Sequence, residues 1–203
     1  MLSLFLILIY YSMFIYSNVF NGAVLEVINI SVFVLLFILS IYYNKSNINK
    51  GIKSLRNDIK RHYKRIIIYS IITLIVYSIV SIILGYFLGN VITEETVADS
   101  NVIRVVINLL IWAPLTEELI FRCSLKKDVK NNTIFILISP LLFAGVHVLG
   151  NGLNLITLIS SIPYIVIGIY LTLLYIKIDN IIINILMHLL INVIGVVMII
   201  SML

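Results

Sequence analysis

The sequence is poor in cysteine, proline and charge, and each shortage limits what the chain can be. It has one cysteine, Cys123, so no internal disulfide can form and disulfides carry no information about the compartment. Only 11% of its residues are charged, whereas a typical soluble domain has about 25%. With 62% hydrophobic residues and a mean hydropathy of +1.16, the composition predicts a polytopic membrane protein with a single domain, residues 1–203.

Acidic residues are also scarce, and the net charge is +5. The positive charge is concentrated in a few loops, so it describes membrane topology and gives no reason to expect a nucleic-acid partner. The first twenty residues are apolar, but they lack a basic leading segment and a small-residue cleavage site. We therefore expect a retained first helix and not a cleaved signal peptide.

Long apolar runs dominate the chain, and a helix needs about 20 such residues to cross a bilayer core of about 30 Å. Seven segments meet this length: residues 2–20, 23–43, 65–89, 102–124, 133–149, 154–177 and 180–202. Their continuous apolarity favours helices over the alternating strands of a barrel. The sequence thus predicts an all-α bundle of about seven transmembrane helices in the cell membrane, beginning with a helical hairpin at residues 1–43.

The loops alternate in charge along the chain. Residues 44–65 carry eight basic side chains and one acid, Asp58, whereas the next loop carries only acids: Glu94, Glu95 and Asp99. The loop after that is basic again, with Lys126, Lys127 and Lys130. The positive-inside rule therefore predicts a cytoplasmic N-terminus, cytoplasmic basic loops and a C-terminus on the outer side.

The basic loop 44–65 also has a helical pattern, since apolar residues recur in it at Ile48, Ile52, Leu55 and Ile59. This spacing is typical of an amphipathic helix lying on an anionic inner leaflet. A solvated loop that only sets the topology explains the composition equally well, and both interpretations stay open.

Three charged residues lie in the stretch 113–123, within the apolar segment 102–124: Glu117, Glu118 and Arg122. Each would cost about 2.5–3.5 kcal/mol at the centre of a lipid-facing helix, so they must face the bundle interior or a wet cavity. Glu118 and Arg122 are four residues apart and can pair, either as a structural lock or as support for a site. Glu117 points elsewhere and has no such partner, which suits a general base.

Further polar residues lie in two later spans. His147 follows Phe143 by four residues, and the last helix carries a polar stripe at steps of four: Asn180, Asn184, His188 and Asn192. A lone histidine in a membrane often serves only as a hydrogen bond between helices. Two histidines, an amide and a paired glutamate on three separate helices favour a functional cluster. For Cys123 we expect a packing role.

Two mechanisms fit this cluster, and both activate water. In the first, Glu117 takes a proton from water, His147 orients that water, and His188 with Asn192 stabilises the oxyanion. In the second, Glu117, His147 and His188 bind a divalent metal such as zinc, which lowers the pKa of the bound water. The amide of Asn192 slightly favours the first mechanism, because an amide is a poor zinc ligand. The choice stays open.

Three motifs together resemble the CAAX protease and bacteriocin-processing family, also called Abi, which includes the type II CAAX prenyl endopeptidases. The motifs are EExxxR at Glu117, FxxxH at Phe143 and HxxxN at His188. The resemblance covers about residues 100–200, so it implies a catalytic core at 100–203. It implies that Glu117 activates water beside His147, His188 and Asn192, with Glu118, Arg122 and Phe143 in support. Cys123 departs from the family, which commonly has glycine there.

The first functional hypothesis is an intramembrane endopeptidase that cleaves membrane-associated peptides or protein tails. The alternative is a non-enzymatic protein for bacteriocin self-immunity, or a membrane scaffold, in which the polar cluster only joins helices. A proton- or ion-coupled carrier is a third idea, but the inverted repeats typical of such proteins are not evident. The expected partners are a peptide or protein substrate and the lipid bilayer, and the oligomeric state stays open.

Overall fold

The computed structural model describes residues 2–19, 23–88, 107–148 and 154–202. Within these ranges every regular element is a helix, so the predicted all-α fold is confirmed there. The acidic loop with Glu94, Glu95 and Asp99 lies outside the described residues, as does the turn at residues 20–22 that joins the first two helices.

The elements follow one another with few breaks. Helix α1 is Leu2–Val19 and α2 is Ala23–Leu88. The next helical segment has four pieces in direct succession: π1 (Asn108–Trp112), α3 (Ala113–Glu117), π2 (Glu118–Ser124) and α4 (Leu125–Asp128). The remaining helices are α5 (Asn132–Val148), α6 (Leu155–Ser160), α7 (Ile162–Ile178) and α8 (Ile181–Met202).

Local sequence explains where the later helices begin and end. Helix α6 begins after Asn154, whose side chain accepts a hydrogen bond from the backbone N–H of Thr157 at 2.9 Å. The predicted span 154–177 is divided at Ser161, because Pro163 has no N–H for the helical ladder and sits in the first turn of α7. Helix α7 ends at Asp179, which adopts a left-handed conformation with φ 54°.

Helix α2 is the largest departure from the expected organisation. It joins the predicted spans 23–43 and 65–89 through the basic segment 44–65 in one helix of 66 residues. The basic segment contains no proline and only one glycine, Gly51, and its Lys, Arg and Leu residues favour helix. The charge of this segment predicts a membrane exit, but it does not interrupt the backbone hydrogen bonds of the helix.

The contacts of α2 show that this helix curves around the bundle. The side-chain amide of Asn44 donates to the carbonyl of Leu119 at 3.2 Å, and the hydroxyl of Ser70 lies 3.7 Å from the sulfur of Met187. On a straight helix, Asn44 and Ser70 would be about 39 Å apart. Leu119 and Met187, however, are the sequence neighbours of Glu118 and His188. Those two buried side chains lie only 3.0 Å apart. The helix must therefore bend for both of its arms to reach the same centre.

Among the described residues, two helical stretches are long and apolar enough to cross a membrane, Ile30–Phe87 and Leu155–Ile178. Shorter apolar helices occupy Leu2–Ser12, Asn132–Val148 and Ile181–Val197. These stretches agree with a membrane protein, and the first of them includes most of the predicted spans 23–43 and 65–89. The count of seven spans stays a prediction.

Four segments predicted to share one side of the membrane meet at one end of the bundle. They are the start of α1, the basic segment of α2, helix α4 and the turn between α7 and α8. Three polar contacts join them: Lys50 with Asp179 (2.5 Å), Lys127 with the carbonyl of Tyr43 (2.6 Å), and Ser3 with Asp128. We call this end the basic end. That it faces the cytoplasm stays a prediction.

The apolar stripe of residues 44–65 is divided between two environments. Ile48 and Leu55 pack against the core of the bundle, whereas Ile52 and Ile59 are 58% and 41% exposed. Half of the stripe thus contacts protein, and the other half is left for lipid or solvent.

The centre of the bundle is tightly packed where α5 and α7 cross. A Cβ added to Gly168 would lie 2.9 Å from the Cα of Pro140, so only glycine allows the two backbones to approach this closely. Phe121, Phe143 and Cys123 are almost fully buried beside this crossing. The crossing therefore fixes the position of α5 against the charged residues of π2.

Candidate active site

The structure contains the ion pair expected between Glu118 and Arg122. Both side chains are fully buried, and Nη1 of Arg122 lies 3.1 Å from Oε1 of Glu118. Nη2 of Arg122 donates to the carbonyl of Gly168 at 3.3 Å, and the guanidinium lies 4.4 Å from the ring centre of Phe143. The pair thus connects π2 to both α5 and α7.

The last helix, α8, extends this ion pair into a network. Nδ1 of His188 lies 3.0 Å from Oε1 of Glu118, and the amide of Asn184 donates to Oε2 of Glu118 at 3.1 Å. Because Glu118 faces the cationic Arg122, we assign it as a carboxylate that accepts from both groups. Nδ1 of His188 then carries the proton, and Nε2 carries a lone pair.

Glu117 was expected to have no charged partner at helical spacing, and α1 supplies a hydrogen-bond partner that this spacing does not reveal. The hydroxyl of Tyr10 donates to Oε1 of Glu117 at 2.7 Å, across 107 residues of sequence. Oε2 is buried without a hydrogen-bond partner among the described residues, and it lies 3.8 Å from Nε2 of His188. Glu117 therefore faces the bundle interior, with one oxygen held and the other directed towards an imidazole.

Phe143 brings the second histidine to the same place. Its ring centre lies 4.7 Å from that of His147 and 5.5 Å from that of His188. Nδ1 of His147 is 2.8 Å from the carbonyl of Phe143, and its ring stacks on Tyr164 at 4.3 Å. His147 also interacts electrostatically with Glu117. The FxxxH motif thus places an aromatic ring between the two imidazoles.

Asn192 makes a contact that the sequence did not predict, and its predicted role at the oxyanion stays a prediction. Its side-chain amide donates to the carbonyl of Leu109 in π1 at 2.7 Å. In a π-helix this carbonyl would accept from the residue five positions later, which is Pro114 and has no N–H. Asn192 therefore satisfies a carbonyl that proline leaves open, and this contact occupies one of its two amide hydrogens.

The polar stripe of α8 faces the bundle along its whole length. Besides Asn184, His188 and Asn192, it includes Asn180, whose amide donates to the carbonyl of Gly51 at 3.0 Å. The stripe thus connects α8 in turn to α2, π2 and π1. This agrees with the periodicity of the sequence.

Glu118 and Arg122 lie on the π-helix π2, directly after Glu117 at the end of α3, and π-helical geometry is frequent at functional sites. Side chains from neighbouring helices stabilise its backbone: Ser139 donates to the carbonyl of Phe121 at 2.9 Å, and Thr172 donates to Ser139 at 3.1 Å.

The structure also adds residues that the sequence did not single out. Tyr10 and Tyr164 both contact members of the predicted cluster. The chain has 12 tyrosines, and no spacing distinguishes these two from the rest. Asn184 is part of the periodic stripe, and this was the only signal for its contact with Glu118.

The predicted metal ligands do not fit a metal ion in this arrangement. Within the described part of the chain, no three His, Cys, Asp or Glu side chains are placed to hold one. The Nδ1 atoms of His147 and His188 are bound to the carbonyl of Phe143 and the carboxylate of Glu118, which is compatible with ligation through Nε2, so the misfit lies in the positions of the side chains. We therefore derive no step through a metal.

Residues 99–194 match the family described as type II CAAX prenyl endopeptidase Rce1-like. This part of the chain, just under half of it, is therefore similar to the CAAX protease family. The match contains all three motifs, from Glu117 to Asn192, and it excludes α1 and α2. No curated protein and no solved structure matches the chain.

Proposed function

We propose that the chain is a membrane-embedded endopeptidase in which Glu117 activates water for attack on a peptide bond. One observation carries this proposal: Oε2 of the buried Glu117 has no hydrogen-bond partner among the described residues and faces Nε2 of His188 at 3.8 Å. Two acceptors at this separation suit a water molecule that donates one hydrogen to each. The family supports a peptidase, because its members are named as endopeptidases.

The proton transfers follow from this arrangement. The water gives one proton to Oε2 of Glu117 as its oxygen forms a bond to the scissile carbonyl carbon. The neutral Glu117 then gives that proton to the leaving amine as the C–N bond breaks, which restores the carboxylate. His188 orients the water through Nε2, while Glu118 holds the imidazole by Nδ1 at 3.0 Å.

Stabilisation of the oxyanion is assigned to Asn192. One amide hydrogen of this side chain is bound to the carbonyl of Leu109, and the second remains for the substrate. His147 is assigned to the opposite wall of the site, where Tyr164 and Phe143 fix its ring. We expect both residues to contribute less to the rate than Glu117, because neither group accepts the transferred proton.

The proposed substrates are membrane-associated peptides or protein tails. His188 lies eight residues beyond Asn180, so the site is about 12 Å from the basic end of the bundle along α8. A peptide held at the membrane surface by a lipid or an apolar helix needs to enter only this far. The basic end also favours acidic or carboxy-terminal segments through charge.

The test uses the protein in proteoliposomes with a panel of fluorogenic peptides, each with a prenyl, acyl or helical anchor. We expect Glu117→Gln to lower cleavage by about 10²- to 10⁴-fold, the usual contribution of a general base. Asp179→Asn is the matched control, because Asp179 is an exposed carboxylate in a surface ion pair with Lys50. Equal cleavage by the parent and by Glu117→Gln would refute the assignment.

A non-enzymatic role predicts a different pattern. If the polar cluster only joins helices, no peptide is cleaved, and cells that express Glu117→Gln keep the same protection against a bacteriocin as cells with the parent. Loss of protection together with loss of cleavage, with normal folding of the variant, supports the peptidase.

A further inference from the structure

We propose that α1 completes the active site, with Tyr10 as the residue that positions the Glu117 carboxylate. This inference rests on the proposed function, and it deepens it by adding a residue outside the segment 99–194 that matches the family. The contact that carries it is the hydrogen bond of 2.7 Å from the hydroxyl of Tyr10 to Oε1 of Glu117.

The Tyr10 side chain is itself held in place. It is 1% exposed, and its ring packs edge-on against Phe121 of π2 at 5.7 Å and at a tilt against Phe33 of α2 at 6.4 Å. The hydroxyl is thus fixed by contacts on two other elements. A hydrogen bond from a fixed donor restricts the orientation of the group that accepts it.

Tyr10 makes the two oxygens of Glu117 unequal. A carboxylate rotates readily about its last bond, and Tyr10 holds Oε1 so that Oε2 faces Nε2 of His188. Oε2 is therefore the oxygen that takes the proton from water. Without the hydroxyl, the carboxylate samples other rotations, and fewer substrate complexes have an oxygen aligned with the water.

This role predicts a selective effect on turnover. Tyr10 donates to the proposed base, so its loss should act on the chemical step more than on binding. We expect Tyr10→Phe to lower kcat by about 10- to 100-fold, the range for a small misplacement of a catalytic group, with little change in KM.

Tyr11 offers a matched control on the same helix. Its hydroxyl also reaches the catalytic half of the chain, where it donates to the carbonyl of Leu142 at 2.5 Å, but it does not contact Glu117. Tyr11→Phe therefore removes one interhelical hydrogen bond of α1 without touching the base. We expect its kcat and KM to stay close to those of the parent.

The first experiment compares kcat and KM of the parent, Tyr10→Phe and Tyr11→Phe in proteoliposomes, with the best peptide from the panel above. A selective fall in kcat for Tyr10→Phe supports the positioning role. Equal effects of the two variants would mean that α1 only holds the bundle together, which overturns the inference and leaves the proposed function standing. Absence of cleavage by the parent would overturn both.

A second experiment tests the contact without any need for activity. Tyr10→Phe is made in the parent and in Glu117→Ala, and the midpoint of unfolding is measured for all four proteins. We expect Tyr10→Phe to lower the midpoint in the parent and to have a smaller effect in Glu117→Ala, where the acceptor is gone. Tyr11→Phe should shift both backgrounds equally. Identical shifts for Tyr10→Phe in both backgrounds would contradict the hydrogen bond.

Discussion

Replacement of Glu118 by glutamine is the sharpest test of the buried ion pair. Glu118 and Arg122 are both 0% exposed, so Glu118→Gln leaves a guanidinium deep in the bundle without its nearest counter-charge. Breaking a buried pair in this way costs about 3–5 kcal/mol, because the remaining charge is poorly solvated. We therefore expect the free energy of unfolding to fall by about this amount.

A matched carboxylate separates the charge effect from the loss of a hydrogen bond. Asp58 also accepts from an asparagine amide, that of Asn180 at 2.8 Å, but it faces no buried cation. Asp58→Asn should cost less than about 1 kcal/mol, as for other surface carboxylates. A double variant, Glu118→Gln with Arg122→Met, removes both charges and should be more stable than Glu118→Gln alone.

The assay is equilibrium unfolding in mixed micelles with increasing dodecyl sulfate. The single tryptophan, Trp112, is a suitable probe, because its ring centre lies 5.0 Å from that of Phe37 and 6.0 Å from that of Phe33 in α2. Its fluorescence reports whether π1 and α2 remain packed. The reasoning would be refuted if Glu118→Gln unfolded at the same midpoint as Asp58→Asn, or if the double variant were the least stable of the set.

Three further outcomes are expected. Gly168→Ala should destabilise the protein by about 1–3 kcal/mol through overlap with Pro140, whereas Gly195→Ala, with no atom near its new Cβ, should be neutral or stabilise by up to about 1 kcal/mol in the same unfolding assay. Asn192→Ala leaves the carbonyl of Leu109 without its donor and should cost about 1–3 kcal/mol, seen as earlier loss of the Trp112 signal. Exhaustive chelation should leave the rate of peptide cleavage unchanged, and a rate that falls and returns with added zinc would contradict the metal-free mechanism.

Helical spacing gave the most reliable information about the site. The i,i+4 relation identifies the pair of Glu118 with Arg122, and steps of four identify the face of α8 that meets the bundle. Both are properties of a single helix, so they can be read from one stretch of sequence. The proximity of His147 to His188 follows from the three motifs taken together, and Phe143 is the physical link between them.

Contacts between distant helices were not accessible in this way. Tyr10 reaches Glu117 across 107 residues, and nothing in the periodicity of α1 marks this tyrosine. The contact of Asn192 with Leu109 depends on a π-helix at π1, which hydrophobic periodicity does not reveal. These features depend on the packing of several elements, and only the folded structure defines them.

The organisation of α2 shows a limit of hydropathy as a guide. Hydropathy and loop charge identify where the chain changes its surroundings, and they divided residues 23–89 into two spans and a loop. Backbone hydrogen bonding follows different rules, since Lys, Arg and Leu are good helix formers whatever solvent surrounds them. A change in polarity therefore did not imply a break in the helix.

The contact between Asn44 and Leu119 has a consequence for the way the protein is made. The partner of Asn44 lies 75 residues later in the chain. Because a ribosome adds about 5–20 residues per second, this partner is synthesised several seconds after Asn44. In the folded protein the amide of Asn44 also donates to the carbonyl of Ser40 on its own helix at 2.9 Å. Because this acceptor lies four residues earlier, the contact needs no later part of the chain, and α2 can satisfy the amide before Leu119 is synthesised.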